Sequence, residues 1–266
     1  MVGDAGGPVR SVYELRNAYD AAARLWADGS EPVYASLARA LVGQVGLDVA
    51  GGRVLDLGAG TGVAGRAALA AGARSVVCAD SALGMLRGCG AGLDPVAADA
   101  TALPFGDGRF DLVLAAFCLG HLDRPVAGLR EARRVGAALA ASSFAAGWNH
   151  PAKAAVDEVL GAFGYRPPPW YLRFKRDTEP RASDPFLVGR DVAAAGYTDV
   201  RLRTIAVDTG LSRPAELAAW RLGMAHVAPF VVSLPADRRA ALRRAASAAV
   251  TGTGPLVVSM LVLIAR

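Results

Sequence analysis

Short, wholly apolar segments alternate with longer helical segments along the first half of the chain. The apolar segments predict five strands: RVLDL, SVVCA, PVAA, FDLVLAAF and ALAASSFAA. Helical segments lie between them, of which one closes at Gly72 and another opens at Pro125. Strands that are apolar on both faces are typical of a parallel sheet covered by helices on both sides. The pattern therefore predicts an α/β, doubly wound fold whose ligand lies beyond the carboxyl ends of the strands.

The alternation breaks after about residue 147. The segment GYRPPPWYLRFKRDTEPRASDP is rich in proline, aromatic and charged residues, which predicts an irregular loop on the substrate side. GYTDVRLRTIAVDTG alternates as a strand does, and PLVVSMLVLIAR predicts the last strand. Between them, residues 213–250 predict two helices separated by APFVVSLP. We expect one domain, 1–266, in which the insertions 147–195 and 211–250 cover the pocket.

Composition supports a folded chain without membrane insertion. The 266 residues are 53% hydrophobic and 20% charged, enough apolar surface for a full core. The longest apolar run has roughly half the length of a membrane span, and the N-terminal segment lacks the apolar centre of a signal peptide. Cytoplasmic residence is the expectation. Cys78, Cys89 and Cys118 show no metal-like spacing, and we expect buried free thiols and no metal.

The formal charge of +5 raises the question of a nucleic-acid partner. The basic residues are arginines except for Lys153 and Lys175, and they are scattered in pairs such as ARRV, RFKR and DRRAALRR. No dense cluster is interleaved with aromatic residues. This distribution predicts solvated helix faces and no nucleic-acid partner.

Three glycines follow the first predicted strand at every second position. In VLDLGAGTG they are Gly58, Gly60 and Gly62, a G-x-G-x-G pattern that differs from the G-x-G-x-x-G of dinucleotide-binding proteins. Glycine has no Cβ, so a ligand can lie directly against the backbone there. The same three glycines are also explained by an ordinary tight turn between strand and helix, without any ligand.

Two acids follow the next two predicted strands. Asp80 could accept hydrogen bonds from the vicinal hydroxyls of a ribose, or it could cap the following helix unless Ser81 does so. Met85 on that helix could face an adenine or belong to the core. Asp99 could accept a hydrogen bond from an exocyclic amine, with the Ala100 backbone N–H reaching a ring nitrogen. Together with the glycines, these residues predict a nucleoside ligand without a pyrophosphate.

The motifs VLDLGAGTG, VVCADSALGML and ADATALPFGDGRFDLVLAAFCLGHL stand in an order and at separations that resemble the class I S-adenosylmethionine-dependent methyltransferases. The resemblance is to the branch with the ubiquinone and menaquinone methyltransferases and many small-molecule methyltransferases of natural-product biosynthesis. It covers residues 45–146, the cofactor-binding core. It implies a Rossmann-like, seven-stranded sheet of order 3-2-1-4-5-7-6 with strand 7 antiparallel, and a helical cap. EARRVGAALAASSF departs from the family in its shortened turn.

The resemblance also implies which residues hold S-adenosyl-L-methionine. A helix within 11–30 would close over the cofactor through Tyr19, and the glycine loop would hold the methionyl part. The remaining positions would contact the ribose and the adenine. The predicted cofactor-binding residues are Tyr19, Asp56, Gly58, Ala59, Gly60, Gly62, Asp80, Ser81, Met85, Asp99, Ala100 and Phe117.

A general base is optional in this chemistry, because a sulfonium methyl is already activated for displacement. A hydroxyl or carbon acceptor gains from a positioned base, whereas a neutral amine does not require one. His121 after strand four is the first candidate for a catalytic residue, and Tyr19 is a further one. His150 after strand five is the next histidine, and His226 in the cap is the last. Each has a purely structural interpretation as well.

The acceptor is expected to be a small, largely apolar organic molecule. Aromatic and apolar cap residues would line its pocket: Trp148, Phe163, Tyr165, Trp170, Tyr171, Trp220, Met224 and Phe230. Alternatives remain open: quinone-type C-methylation, a non-methylating reaction such as a cyclisation with the same cofactor, and an NAD-dependent oxidoreductase, which the glycine spacing fits poorly. A nucleic-acid base methyltransferase would carry an N-P-P-Y-like element where this chain has AFCLGHL. A homodimer is left open.

Overall fold

The computed structural model describes residues 8–266. The N-terminal segment for which we expect no signal peptide includes residues 1–7, and these lie outside the described residues. The described residues form seven strands: β1 Arg53–Leu57, β2 Ser75–Asp80, β3 Leu93–Ala97, β4 Phe110–Ala116, β5 Gly136–Phe144, β6 Val200–Asp208 and β7 Val257–Ala265.

All seven strands belong to one sheet of order β3-β2-β1-β4-β5-β7-β6. The first five pair in parallel, whereas β7 runs antiparallel to both β5 and β6. The predicted strand order, including the antiparallel strand 7, is therefore confirmed. Because β1 to β5 are parallel, their carboxyl ends meet along one edge of the sheet, where ligands of open α/β sheets bind.

Helices cover both faces of this sheet. Over residues 8–266 the α-helices are α1 Pro8–Leu25, α2 Glu31–Val45, α3 Val63–Ala70, α4 Leu83–Leu86, α5 Pro125–Val135, α6 Pro151–Ala162, α7 Pro169–Arg173, α8 Glu179–Ser183, α9 Pro185–Ala194, α10 Pro214–Leu222, α11 Ala228–Ser233 and α12 Ala236–Ala249. Short π-helical turns span Trp26–Ser30 and Phe174–Thr178, and 3-10 turns span Gly46–Val49 and Leu119–His121. None of the described helices is both long enough and apolar enough to cross a bilayer.

Alternate residues of the central strands enter two separate apolar layers, as the period of two requires. Val54 of β1 packs into the layer built with α2, α3, α6, α10 and α12. Leu55, the next residue, packs into the layer built with α5 and α9. Both residues are at most 1% exposed. This two-sided burial explains why the strands are apolar throughout.

Two sequence-based assignments in the cap are wrong. Residues 164–185, expected as an irregular loop, contain α7, a π-helical turn and α8. The APFVVSLP segment, expected as a separator between two helices, contains α11 itself. In each case a proline lies in the first helical turn: Pro169, Pro180 and Pro229. Proline is tolerated there because that N–H has no partner within the helix, so these prolines start helices and do not interrupt them.

The shortened turn before β5 is structurally accommodated. Helix α5 ends at Val135, and β5 begins at the next residue, Gly136. Arg134 donates to the Leu103 and Phe105 carbonyls at 3.1 and 2.7 Å and pairs with Glu131 at 2.7 Å. These contacts tie the end of the helix to the loop that precedes β4, so no longer turn is needed.

Candidate cofactor and acceptor site

One cavity of about 1310 Å³ opens at the carboxyl edge of the parallel strands. A pocket for one small ligand usually measures about 300–1000 Å³, so this cavity has room for two molecules. Its floor is formed by the segments that end or follow the five parallel strands: 58–61, 80–82, 97–101, 116–118 and 143–148. Helix α1 and the cap segments form the opposite wall. The sheet topology thus assembles residues that lie far apart in sequence.

The glycine loop joins β1 to α3 with three left-handed residues. The φ angles of Gly58, Gly60 and Gly62 are 68°, 56° and 81°, a region that favours glycine. A Cβ on Gly58 would lie 2.5 Å from Sγ of Cys118. Gly58 and Gly60 line the cavity with Ala59, and their contact with the cofactor stays a prediction. Gly62 does not line it; a Cβ there would lie 2.7 Å from Leu93 Cδ1, so this glycine serves packing.

Asp80, at the end of β2, holds the glycine loop from across the cavity floor. Its Oδ2 accepts the Gly60 N–H at 2.8 Å, and its Oδ1 accepts the Ala82 N–H at 2.8 Å. An ionised carboxylate has about four acceptor sites, so two backbone bonds leave acceptor capacity toward the cavity that Asp80 lines. Burial raises the pKa of Asp80, an effect that these backbone N–H groups oppose. Ser81, the alternative cap residue, also lines the cavity.

Asp56 has a different place from the one predicted. Its carboxylate is 1% exposed and accepts the Gly65 N–H in α3 at 2.7 Å. It does not line the cavity. Burial raises its pKa to about 7. Asp56 therefore fixes the glycine loop onto α3 from behind, and direct contact with a ligand is not supported.

The predicted adenine-side residues lie together at the β2 and β3 end of the cavity. Asp99, Ala100 and Met85 all line it. Asp99 follows the end of β3 by two residues, and its Oδ1 accepts the N–H and the hydroxyl of Thr101, both at 2.8 Å. Met85 is 1% exposed and packs in the core, so its core interpretation is confirmed, and its contact with an adenine stays a prediction.

Tyr19 of α1 meets His121 over the cavity. The Tyr19 hydroxyl lies 3.1 Å from His121 Nε2, and the His121 ring stacks on Phe174 with centroids 4.8 Å apart. His121 Nδ1 is buried and has no partner among the described residues. Burial lowers the pKa of His121 to about 4 and raises that of Tyr19 well above its usual value. Both groups are therefore neutral near pH 7.

Phe117 marks a strained position at the carboxyl end of β4. Its φ of 55° is the one positive φ of a non-glycine residue within residues 8–266. Such backbone costs about 1–3 kcal/mol and persists only where the surroundings fix it. The Phe117 ring packs against Phe144 and Tyr34, with centroids 4.7 and 5.3 Å away. This backbone conformation places an aromatic side chain at the cavity, which Phe117 lines; its contact with the cofactor stays a prediction.

His150 is a structural residue, which corrects its assignment as a catalytic candidate. It caps α6: its Nδ1 accepts the Ala152 N–H at 3.2 Å, and its Nε2 lies 3.2 Å from the Pro255 carbonyl. The ring is 7% exposed and does not line the cavity. Both nitrogens are thus occupied in joining α6 to the segment before β7.

The cap contributes an aromatic wall to the cavity. Of the residues predicted for it, five line the cavity: Trp148, Trp170, Tyr171, Trp220 and Met224. Tyr165 and Phe230 instead line a separate cavity of about 260 Å³, and Phe163 lines neither of the two. Sequence reasoning missed further lining residues: Trp26, Tyr34, Phe144, Lys153, Phe174, Lys175 and Arg221. Among these, Phe144 at the end of β5 could have been found from its position at the carboxyl edge.

Comparisons with known proteins agree with this architecture. A family model for the methyltransferase domain matches residues 55–138. A demethylmenaquinone methyltransferase from Clavibacter sepedonicus is 41% identical over 48% of this chain and 54% of its own length, so the chain spans about half of that relative. A demethylmenaquinone methyltransferase from Mycolicibacterium gilvum is 36% identical over 58% of this chain and 71% of its own length.

Two solved structures share the fold. A proposed methyltransferase from Bacillus halodurans has a TM-score of 0.50 at 19% identity, over 86% of this chain and 97% of its own. The [4+2]-cyclase SpnF has a TM-score of 0.50 at 21% identity, over 87% and 80%. At these identities the likeness concerns the fold alone. The sheet order, the glycine loop and the extent of the Mycolicibacterium match together show that the chain belongs to the class I S-adenosylmethionine-dependent methyltransferases.

Proposed function

We propose that this protein transfers the methyl group of S-adenosylmethionine to a small, largely apolar and aromatic acceptor in natural-product biosynthesis. One observation carries the proposal: a single cavity has a glycine loop and a carboxylate at one end and an aromatic wall at the other. The first end suits a nucleoside and the second an apolar ring.

The residues present fit the cofactor. Gly60 offers backbone without a side chain, and Asp80 retains acceptor sites for ribose hydroxyls. Asp99 and Ala100 would contact the adenine edge, and Tyr19 would close the site from α1. When bound, the cofactor supplies a methyl group already activated by its sulfonium. The chain orients the acceptor and excludes water, which is where its contribution to the rate lies.

The surroundings of His121 define its role in the proposed reaction. It lines the cavity and is neutral near pH 7, so it can accept a proton or a hydrogen bond from an acceptor. A base works best when its pKa lies near the working pH, and a pKa of about 4 makes His121 a weak one. Its contact with the Tyr19 hydroxyl favours positioning of the acceptor as its main contribution.

A quinone-type C-methylation is the second candidate function, favoured by the names of the relatives. The family match at 55–138 ends before the cap. The segments that line the acceptor end, around Trp148 and from Trp170 onward, lie beyond that match. The family match therefore supports the cofactor more strongly than it supports the acceptor.

Calorimetry of the full chain with S-adenosylhomocysteine, with NADH as the matched control, tests the cofactor. We expect binding of the first and none of the second. Mass spectrometry after incubation with S-adenosylmethionine and a panel of phenols, quinones and aromatic amines then tests transfer. Bound cofactor with a rearranged product of unchanged mass would favour a cyclisation. Failure to bind S-adenosylhomocysteine would refute the proposed function.

A further inference from the structure

The two lysines of this chain meet in one cavity. Of 29 basic residues only Lys153 and Lys175 are lysines, and both line the acceptor end with Arg221. They come from three different parts of the cap: α6, the π-helical turn before α8, and α10. We name these three residues the cation cluster. Buried or half-buried cations need partners, so the charge balance of the cluster indicates what belongs there.

Two of the three cations have carboxylate partners. Arg221 is 5% exposed and donates two hydrogen bonds of 2.8 Å to the two oxygens of Asp157. Lys175 pairs with Glu179, four residues further along the chain. Lys153 forms no ion pair with any carboxylate among the side chains that the structure describes; its Nζ lies over the Trp148 ring, 4.9 Å from the centroid. The cluster and its two carboxylates therefore carry one net positive charge.

The charges act on each other across the cavity. Burial and the charges of Lys175 and Arg221 lower the pKa of Lys153 to about 8, although Glu179 and Asp157 oppose this. Burial and the same three cations lower the pKa of His226 to about 2, so this histidine is neutral. His226 is 5% exposed, lines the cavity, and its Nε2 has no partner among the described residues. An anion would relieve the repulsion that these groups exert on one another.

The surroundings of Lys153 are otherwise aromatic. Trp148 stacks on Phe144 with centroids 4.8 Å apart, and Tyr171 stacks on His226 with centroids 3.6 Å apart. A flat apolar ring with an acidic substituent matches such a wall with one charge at its edge. We propose that the acceptor carries a single negative charge, as an aromatic carboxylate does, and that this charge binds at Lys153 beside Lys175 and Arg221.

The carboxylate of the cofactor itself is the competing occupant. Lys153 lies in the helix that follows β5, whereas the glycine loop follows β1, with β4 between these two strands. Two strand spacings correspond to about 10 Å. Asp80, at the end of β2, lies one strand further away. The cation cluster thus belongs to the acceptor end of the cavity, and the inference rests on the proposed function for the identity of that end.

Two probes of equal shape test the proposal: 2-naphthoate and the neutral 2-naphthamide. Calorimetry of the full chain, with and without S-adenosylhomocysteine, should show about 10- to 150-fold tighter binding of the naphthoate, the range for a hydrogen bond to a charged group. Lys153→Gln should abolish this preference, Lys153→Glu should reverse it, and Lys153→Arg should retain it. Arg244→Gln removes an exposed charge in α12 and should change nothing.

Proton uptake gives an independent readout. A bound carboxylate stabilises the charged lysine, so the pKa of Lys153 rises and about half a proton is taken up at pH 8. Calorimetry in phosphate and in Tris, which differ in ionisation enthalpy, measures this uptake. Uptake should disappear in Lys153→Gln.

Several results would overturn the inference. Wild-type protein without a preference for naphthoate would do so, and so would a preference that survives Lys153→Gln. A loss of S-adenosylhomocysteine affinity in Lys153→Gln would assign the cluster to the cofactor carboxylate. That result would overturn the inference, whereas the proposed function would stand because wild-type protein binds the cofactor. If wild-type protein fails to bind S-adenosylhomocysteine, the proposed function is refuted. The comparison of naphthoate with naphthamide in the absence of S-adenosylhomocysteine then still tests whether the cation cluster binds an anion.

Discussion

Replacement of Asp80 by alanine tests the cofactor end of the cavity. In the proposed complex this carboxylate accepts ribose hydroxyls, and in the structure it already accepts the Gly60 and Ala82 N–H groups at 2.8 Å each. A hydrogen bond to a charged group contributes about 1.5–3 kcal/mol. The Asp80→Ala variant should therefore bind S-adenosylhomocysteine roughly 10- to 150-fold more weakly. Calorimetry on the purified variant measures the change.

The same substitution also removes a partner from two backbone N–H groups, so folding must be measured separately. Each buried N–H left unpaired costs about 1–3 kcal/mol, which should lower Tm by several degrees. Asp208 provides a matched control, because its Oδ1 accepts the N–H two residues ahead, that of Gly210, at 2.9 Å outside the cavity. Asp208→Ala should lose stability to a smaller degree and bind the ligand as wild type does.

One result would refute the reasoning about Asp80. If Asp80→Ala is folded at the assay temperature and its Kd for S-adenosylhomocysteine equals that of wild type, the carboxylate serves the turn alone. The glycine loop would then lack its ribose partner. The assignment of the β2 end to the nucleoside would have to be given up.

Three further predictions follow from the same geometry. Gly60→Val places a branched side chain at φ 56°, with its Cβ 3.3 Å from Met85 Cε, and calorimetry should show no binding of S-adenosylhomocysteine. The control Gly43→Val lies at an open position of α2 and should bind as wild type does. Burial raises the pKa of Asp56 to about 7, so the folded state holds its proton more tightly than the unfolded one, and stability should fall by about 4 kcal/mol between about pH 4 and pH 7. Urea unfolding should show that Asp56→Asn removes this slope; an unchanged slope would assign it elsewhere. His121→Ala should lower kcat about 100-fold if His121 takes the proton, and the wild-type rate should then decline only near pH 4; a loss below about tenfold with a flat profile would leave positioning alone.

The sheet and the cofactor end could be predicted from the sequence because their signals are local. An apolar strand such as RVLDL and a glycine such as Gly60 carry their structural requirement in their own residue type. The prediction went too far where one residue type serves two purposes. Asp56 and Gly62 stand within the motif, yet Asp56 accepts a backbone N–H of α3 and Gly62 lies where neighbouring side chains leave no room for a Cβ. Only the positions of Gly65 and Leu93 decide this, and these positions come from the tertiary structure.

The cap was predicted less well because some of its residue types are compatible with two different local structures. Proline breaks a helix in its interior but starts one in its first turn, so the prolines at 169, 180 and 229 were compatible with either structure. His150 shows the same ambiguity, since a histidine near a strand end can be a base or a helix cap. The choice depends on Pro255, which lies 105 residues further along the chain.

The residues of the acceptor end could not be predicted from composition, because composition does not say which residues lie together in the fold. Almost all basic residues of this chain are arginines, and the two lysines, Lys153 and Lys175, are separated by 22 residues in sequence. They form one site only because α6 and the π-helical turn face the same cavity. An arginine always keeps its charge, whereas the pKa of a lysine shifts readily with its surroundings. A site that must hold an anionic acceptor and then release its product benefits from a cation whose charge responds to the ligand. The pKa of about 8 of Lys153 places that response within the ordinary range of pH.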